Sequence, residues 1–340
     1  MPAPVAPIEL IDKAEDAGLH YLDDDTPGIS RIRRGKAFSY QRPNGEPVDE
    51  ETRERIKGLS IPPAWREVWI SEDPRSHILA TGIDNAERKQ YIYHPVWEDL
   101  RDEIKFDRMS DLGSRLVRLR KSVDRDLRQP GLPRSRVVGL AVAILDRTLI
   151  RVGNRKYTRE NDSYGLTTLT PEHVAVVGNQ IHFEFTGKGG SDYELALHDR
   201  RLASLVAKCQ DLGGQTLFSY DNGAGPASIS STDINDYIAI STRSHFTAKD
   251  FRTWGASATV LGCLARCKAG PDDGAVIQAI DVAAERLGNT RAVCRSSYVH
   301  PLVVDTYREG ILGDIWNASR NGRWLDREES SLRRVLSAGP

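Results

Sequence analysis

The spacing of apolar and polar positions changes character near residue 100. Before it, apolar residues come in short alternating runs between turn signals, which predicts strands over residues 29–32, 37–40, 68–70, 78–80 and 90–93. Pro43-Asn44-Gly45 reads as a turn. Asp49 or Glu50 can open a short helix that reaches Leu59 and stops ahead of Ile61-Pro62-Pro63. Beyond residue 100 the period is helical. Leu112, Leu116, Leu119, Val123 and Leu127 recur at steps of three and four, one apolar stripe with arginines opposite. Pro130-Gly131-Leu132-Pro133 ends that helix, and Ser135 is the expected cap of the next. Val137, Val138, Leu140, Ala141, Ile144, Leu145, Leu149 and Ile150 make this second helix apolar almost all round. It therefore belongs at the centre of a core, ending at Arg151 with Gly153 or Asn154 as its left-handed cap.

Three strand-like pieces follow, over 174–177, 181–185 and 193–197, joined by Gly178-Asn179 and by Gly187-Lys188-Gly189-Gly190. They predict a small antiparallel meander with a lysine at its second tip. Helical patterns resume at Asp199, Asp233, Thr247, Pro271 and Thr290. The expected fold class is α+β in two lobes. A small β-rich domain covers residues 1–98, and a mainly helical domain with one small antiparallel sheet covers 99–340, the hinge lying around 95–102. Residues 1–7 and those from Ser330 onward read as loose ends.

Composition narrows the class without choosing a function. The 340 residues, 39% hydrophobic and 28% charged, are ordinary for a soluble globular protein of two cores. No apolar run approaches the roughly 20 residues that span a bilayer, so no membrane segment is expected. The start lacks the basic-then-apolar layout of a signal peptide. Cys209, Cys263, Cys267 and Cys294 lack zinc-ligand spacing and read as buried or inert thiols, which suits a cytoplasmic location. Net charge is only −1, but its distribution is uneven. Asp23, Asp24, Asp25, Glu50, Glu51 and Glu54 make the first hundred residues slightly acidic, whereas basic residues dominate from Arg101 to Arg159. That stretch is either a local surface for an anionic partner or a set of solvated helix faces; on charge alone the second reading is the simpler.

Four residues could carry phosphodiester chemistry. Breaking that bond without metal or water needs an in-line nucleophile, two or three fixed cations for the equatorial oxygens and an acid for the leaving 5′-oxygen. Arginine suits the clamp because its planar fork is permanently charged. Lysine suits the acid because desolvation beside other cations lowers its pKa. Arg151 stands in Ile150-Arg151-Val152-Gly153-Asn154, Lys188 at the hairpin tip, Arg252 in Lys249-Asp250-Phe251-Arg252-Thr253-Trp254, and Tyr298 in Arg295-Ser296-Ser297-Tyr298-Val299-His300-Pro301. Singly, each is far more often structural.

Their order and contexts closely resemble the type IB DNA topoisomerases, especially the compact poxvirus and bacterial kind. The resemblance runs over nearly the whole chain and in the first lobe includes Pro27-Gly28-Ile29, Gly35-Lys36-Ala37-Phe38-Ser39-Tyr40, Ile61-Pro62-Pro63-Ala64-Trp65 and Arg88-Lys89-Gln90-Tyr91-Ile92-Tyr93. It implies an enzyme that clamps duplex DNA as a monomer and relaxes supercoils without cofactor, metal or ATP. By the same resemblance Tyr298 is the nucleophile that forms a 3′-phosphotyrosine, Arg151 and Arg252 hold the non-bridging oxygens, and Lys188 is the general acid. Gln90, Tyr91 and Tyr93 match a segment that touches bases, Arg88 and Lys89 would hold nearby phosphates, and Lys249 is a supporting contact. For Gln90, Tyr91 and Tyr93 a core-facing strand role stays open.

One position departs from the pattern. The family generally has a histidine some turns before the tyrosine, and Asn289 stands there. Asparagine donates a neutral hydrogen bond without charge, so slower chemistry is expected, not its loss. His300 and His245 do not fit the position and read as structural or surface. Three alternatives stand beside this reading. Tyrosine recombinases share the catalytic set but usually carry His-x-x-Arg where Lys249-Asp250-Phe251-Arg252 stands. A DNA clamp without catalysis would have no need of all four residues together. An ATP-dependent enzyme would need a phosphate-binding loop, and Gly187-Lys188 lacks its spacing and its following Ser or Thr.

Overall fold

A computed structural model of the chain describes residues 8–35, 37–267 and 270–338, so the expected loose start over 1–7 and Lys36 lie outside the described residues. Two compact units divide between Lys105 and Phe106. The first contains α1 (Ile8–Asp16), β1 (Ile29–Arg34), β2 (Ala37–Gln41), α2 (Glu50–Gly58), β3 (Arg66–Ile70), β4 (Ile78–Ile83) and β5 (Lys89–Tyr93). The strands form one antiparallel sheet in the order β2-β1-β3-β4-β5. Alternation decides which side is buried. Ile29, Val68, Ile70 and Ala80 meet Ile56 of α2 in one apolar cluster. The carboxylate of Asp49 accepts from the Thr52 N–H at 2.8 Å and caps α2. A second cluster joins Ala14 and Leu19 to Trp97 of α3 (Pro95–Asp126). Residues 95–102, expected as a hinge, are thus the opening turns of a long helix.

The second unit adds α4 (Arg134–Thr148), α5 (Arg155–Asn161), β6 (Val174–Val177), β7 (Gln180–Thr186), β8 (Asp192–His198), α6 (Arg200–Asp211), β9 (Ser219–Asp221), β10 (Pro226–Ser228) and α7 (Ser231–Thr242). After them come α8 (Ala248–Ala265), α9 (Asp273–Leu287), α10 (Arg291–Tyr298), α11 (Pro301–Arg308), α12 (Leu312–Ala318) and α13 (Arg327–Ala338). The α+β class expected from the sequence is the class of the chain. The stripe of α3 is buried from Leu112 to Leu127, and α4 is buried on most of its positions. Strands β6, β7 and β8 form the meander, and Ile181, Phe183 and Phe185 of β7 turn into the core.

Several local expectations are corrected. Pro133, not Ser135, is the cap of α4, because the Ser135 hydroxyl instead donates to Gln129 at 2.9 Å. The helix ends at Thr148, and the left-handed residue is Leu149 at φ 60°, ahead of Gly153 and Asn154. A non-glycine residue there costs about 1–2 kcal/mol. Leu149 is held by burial against Gly255 of α8, where a Cβ would overlap its methyl groups, and by its carbonyl, described below. The tail is not loose: α13 buries Ser331, Leu332 and Val335. The hairpin of β9 and β10 was unexpected.

Part of the basic stretch resolves into ion pairs. Arg115 pairs with Asp111, Arg125 with Asp126, Arg128 with Asp124 and Arg134 with Asp233. Arg136 donates to the Leu127 and Gly131 carbonyls. Half-buried Arg120 reaches Asp146 at 2.7 Å and Glu329 of α13 at 2.6 Å, and Glu329 also accepts from the Trp254 indole of α8 at 2.9 Å. Arg118, Lys121, Arg155 and Arg159 are exposed. Internal pairing thus takes up part of this charge, and the exposed residues remain on the surface.

Candidate active site

Two helix C-termini create the site. A helix end leaves carbonyls without intrahelical partners and carries partial negative charge, so it attracts cations. Helix α4 ends at left-handed Leu149 and α9 ends at left-handed Gly288, φ 58°. Arg252, in the second turn of α8 and 4% exposed, donates Nη1 to the Leu149 carbonyl and Nη2 to the Leu287 carbonyl, the latter at 2.9 Å. Its guanidinium is thereby fixed between the two helix ends. Arg151, two residues past Leu149, is half-buried; it donates Nη1 to the Tyr193 hydroxyl at 2.6 Å, and Nη2 to Asn289 Oδ1 and the Gly288 carbonyl.

Asn289 is oriented by that bond. With Oδ1 taken by Arg151, its Nδ2 faces away, buried and without a hydrogen-bond partner among the described residues. A buried amide donor without an acceptor costs about 1–3 kcal/mol. It stands beside a guanidinium, a fit for an anionic oxygen.

Tyr298 closes α10, and its ring lies 5.3 Å from the Arg252 guanidinium carbon. The Ser257 hydroxyl of α8 fixes the backbone on both sides, donating to the Tyr298 carbonyl at 3.1 Å and accepting from the His300 N–H at 2.9 Å. Burial pushes the Tyr298 phenol up, but the charge and hydrogen bond of Arg252, with the charges of Arg151 and Lys249, more than offset it, and its pKa falls below the ordinary tyrosine value. Burial, then the like charge of Arg151, lowers Arg252 in turn. The arrangement is equipped to hold an oxyanion with two cations and a neutral donor while presenting an acidified phenol to it.

The structure therefore brings Arg151, Arg252, Asn289 and Tyr298 together, with Lys249 exposed at the start of α8 within electrostatic reach. It does not bring in Lys188, which is exposed on the turn between β7 and β8 and has no hydrogen bond or ion pair among the described residues. In the first unit Arg88 pairs with Asp84 and Lys89 with Asp24. The two cations proposed from the sequence for phosphates thus have carboxylate partners of their own. Gln90 also donates to Asp84, at 2.8 Å, and Tyr91 stacks beside Tyr93 at 5.7 Å with Tyr91 exposed. His300 is buried, caps α11 by accepting from the Leu302 N–H at 3.2 Å and packs on Phe106 at 5.0 Å; His245 is exposed. The sequence reading missed Tyr193 and Ser257. The inward alternation of β8 signals only that Tyr193 is buried, and nothing local marks its hydroxyl partners.

Burial pushes the Cys209 thiol up to about 12 and that of Cys294 up to about 11, which keeps both unreactive. Among the described residues no group of three or more His, Cys, Asp or Glu could hold a metal ion, and no helix is long and apolar enough to cross a membrane.

This combination of a β-rich first unit and a helical second unit bearing an arginine–tyrosine cluster has counterparts. Residues 88–314 match the family model described as the catalytic core of eukaryotic DNA topoisomerase I, and residues 37–84 match that of the bacterial DNA topoisomerase IB N-terminal domain. DNA topoisomerase 1B of Acanthamoeba polyphaga mimivirus is 32% identical over 294 residues, 83% of this chain and 88% of that protein. DNA topoisomerase 1B of Vaccinia virus (strain Copenhagen) is 24% identical over 200 residues, 58% of this chain and 60% of its own. The chain belongs to the type IB DNA topoisomerase family of enzymes.

Proposed function

We propose that the chain relaxes supercoiled duplex DNA by a reversible transesterification that needs neither ATP nor metal. The Tyr298 phenol gives up its proton to solvent, its oxygen attacks the scissile phosphorus, the bond from phosphorus to the 5′-oxygen breaks, and the 3′-phosphate is left on the tyrosine, which regains a proton from solvent when it is released in the reverse step. Arg151 and Arg252 neutralise the non-bridging oxygens, the free Nδ2 of Asn289 donates to one of them, and Lys188 protonates the departing 5′-oxygen. In the reverse step the 5′-hydroxyl attacks the phosphotyrosine and the proton returns to Lys188. The ester keeps the energy of the broken bond, so resealing requires no nucleotide. The guanidinium pair supplies the positive charge that a metal would otherwise provide.

The observation that carries this reading is geometric: the Tyr298 ring lies 5.3 Å from the guanidinium carbon of Arg252, which is fixed between the Leu149 and Leu287 carbonyls, and Arg151 is held beside Asn289. All the proposed reacting residues lie in one unit of one chain, which supports action as a monomer. Lys188, exposed on a two-stranded arm, takes its place only when DNA is bound. Gln90, Tyr91 and Tyr93 meet the DNA bases, and Arg88 and Lys89 exchange carboxylate partners for phosphates. Denaturing a reaction on supercoiled plasmid with detergent, digesting it and sequencing the peptides by mass spectrometry tests the proposal. A nucleotide 3′-phosphate on the Tyr298 peptide is expected; a 5′-linkage, or a different modified residue, would sink it.

A further inference from the structure

Tyr193 links Arg151 to the carbonyl of Leu287, which also holds Arg252. On β8, five residues past Lys188, it is 8% exposed and stacks flat on Phe185 at 5.0 Å. Its hydroxyl accepts from Arg151 Nη1 at 2.6 Å and donates to the Leu287 carbonyl at 2.7 Å. That same carbonyl accepts from Arg252 Nη2 at 2.9 Å. One phenol and one carbonyl therefore join the two guanidinium groups in a single chain of hydrogen bonds. Two glycines make room for it. A Cβ at Gly288 would overlap the Tyr193 hydroxyl, and a Cβ at Gly187, where the Lys188 turn begins, would overlap its ring.

We infer that Tyr193 is a positioning residue, whose hydroxyl sets the orientation of Arg151 and its spacing from Arg252 to fit the oxygens of one phosphate. The inference rests on the role proposed above for Arg151. A guanidinium with a free Nη1 rotates about its long side chain, and misplacement of a transition-state cation lowers the rate of chemistry more than it lowers affinity. Among the described residues Arg151 is held through three acceptors, and of these the Tyr193 hydroxyl alone comes from outside the Gly288-Asn289 segment.

The test is the rate of plasmid relaxation at saturating enzyme, with plasmid affinity and thermal midpoint measured beside it. Tyr193→Phe keeps the ring stacked and removes the hydroxyl; a fall of about 10-fold or more in rate is expected at unchanged affinity. In an Arg151→Ala background the same change should have no further effect, because the group it orients is gone. Gly288→Ala, which displaces the hydroxyl while keeping the tyrosine, should show the same dependence on Arg151 and decides the matter if Tyr193→Phe folds poorly. A wild-type rate for the folded variant, or an equal loss with and without Arg151, overturns the inference. An Arg151→Ala enzyme as fast as wild type would instead overturn the role proposed for Arg151.

Discussion

Replacing Asn289 by alanine should separate stability from activity. The side chain makes one hydrogen bond, from Arg151 to Oδ1, and leaves Nδ2 buried without an acceptor. Truncation loses the first, worth about 1.5–3 kcal/mol for a charged donor, and removes the second, a burden of about 1–3 kcal/mol. These terms oppose each other, so the folded state should lose no more than about 2 kcal/mol and gain no more than about 1.5 kcal/mol. Activity has no such compensation. Donation from Nδ2 to a phosphate oxygen is a charge-assisted bond of about 1.5–3 kcal/mol, and its loss from the transition state lowers the rate about 10- to 150-fold. Single-turnover relaxation of plasmid, read beside urea unfolding of the same preparation, measures both. A large fall in stability with relaxation unchanged would show that Asn289 serves the fold alone, and would refute this reasoning.

Two further outcomes follow from the electrostatics. Lys249→Gln removes one of the charges that hold Tyr298 below its ordinary value, so the acidic limb of the relaxation rate should move to higher pH. Because Lys249 is exposed, added salt should shrink that displacement, and a profile identical to wild type at low salt would count against the assignment. Glu329→Ala removes one of the two carboxylates that hold Arg120 and the acceptor of the Trp254 indole, and should destabilise the protein by about 1.5–3 kcal/mol in denaturant unfolding; a change below about 1 kcal/mol would contradict the network. Burial raises Glu329, but the hydrogen bond and charge of Arg120 leave its folded value below the ordinary carboxylate range. Its contribution is therefore present above that range and lost as pH falls through the lowered value, a loss that Glu329→Ala should abolish.

What could be read from the sequence depended on how local each signal was. The apolar circumference of α4 predicts its burial, and Asp49 predicts the start of α2, because both are written within one turn or one helix. The end of α4 was misread because Leu149 is held left-handed by Arg252 and Gly255, more than a hundred residues away, while Gly153 offered the obvious local cap. Partners explain part of the basic stretch in the same way. Arg120 and Arg134 look like surface charge until Glu329 and Asp233 arrive from distant helices. Arg151, Arg252, Asn289 and Tyr298 were found through the order of their motifs, but the reason they cohere, two helix ends whose carbonyls hold the arginines, is tertiary. Tyr193 was invisible for that reason. Alternation in β8 marks a buried ring, and its hydroxyl gains meaning only once Arg151 and Leu287 face it.

The central claim is that Tyr298 carries the strand cleavage, assisted by protein cations alone. Relaxation of negatively supercoiled plasmid in EDTA and without ATP, wild type beside Tyr298→Phe, tests it most directly. The account predicts complete relaxation by the wild type and none by the variant, with plasmid binding preserved in both. Relaxation that survives in Tyr298→Phe, or that appears in the wild type only when a metal ion is added, would contradict it.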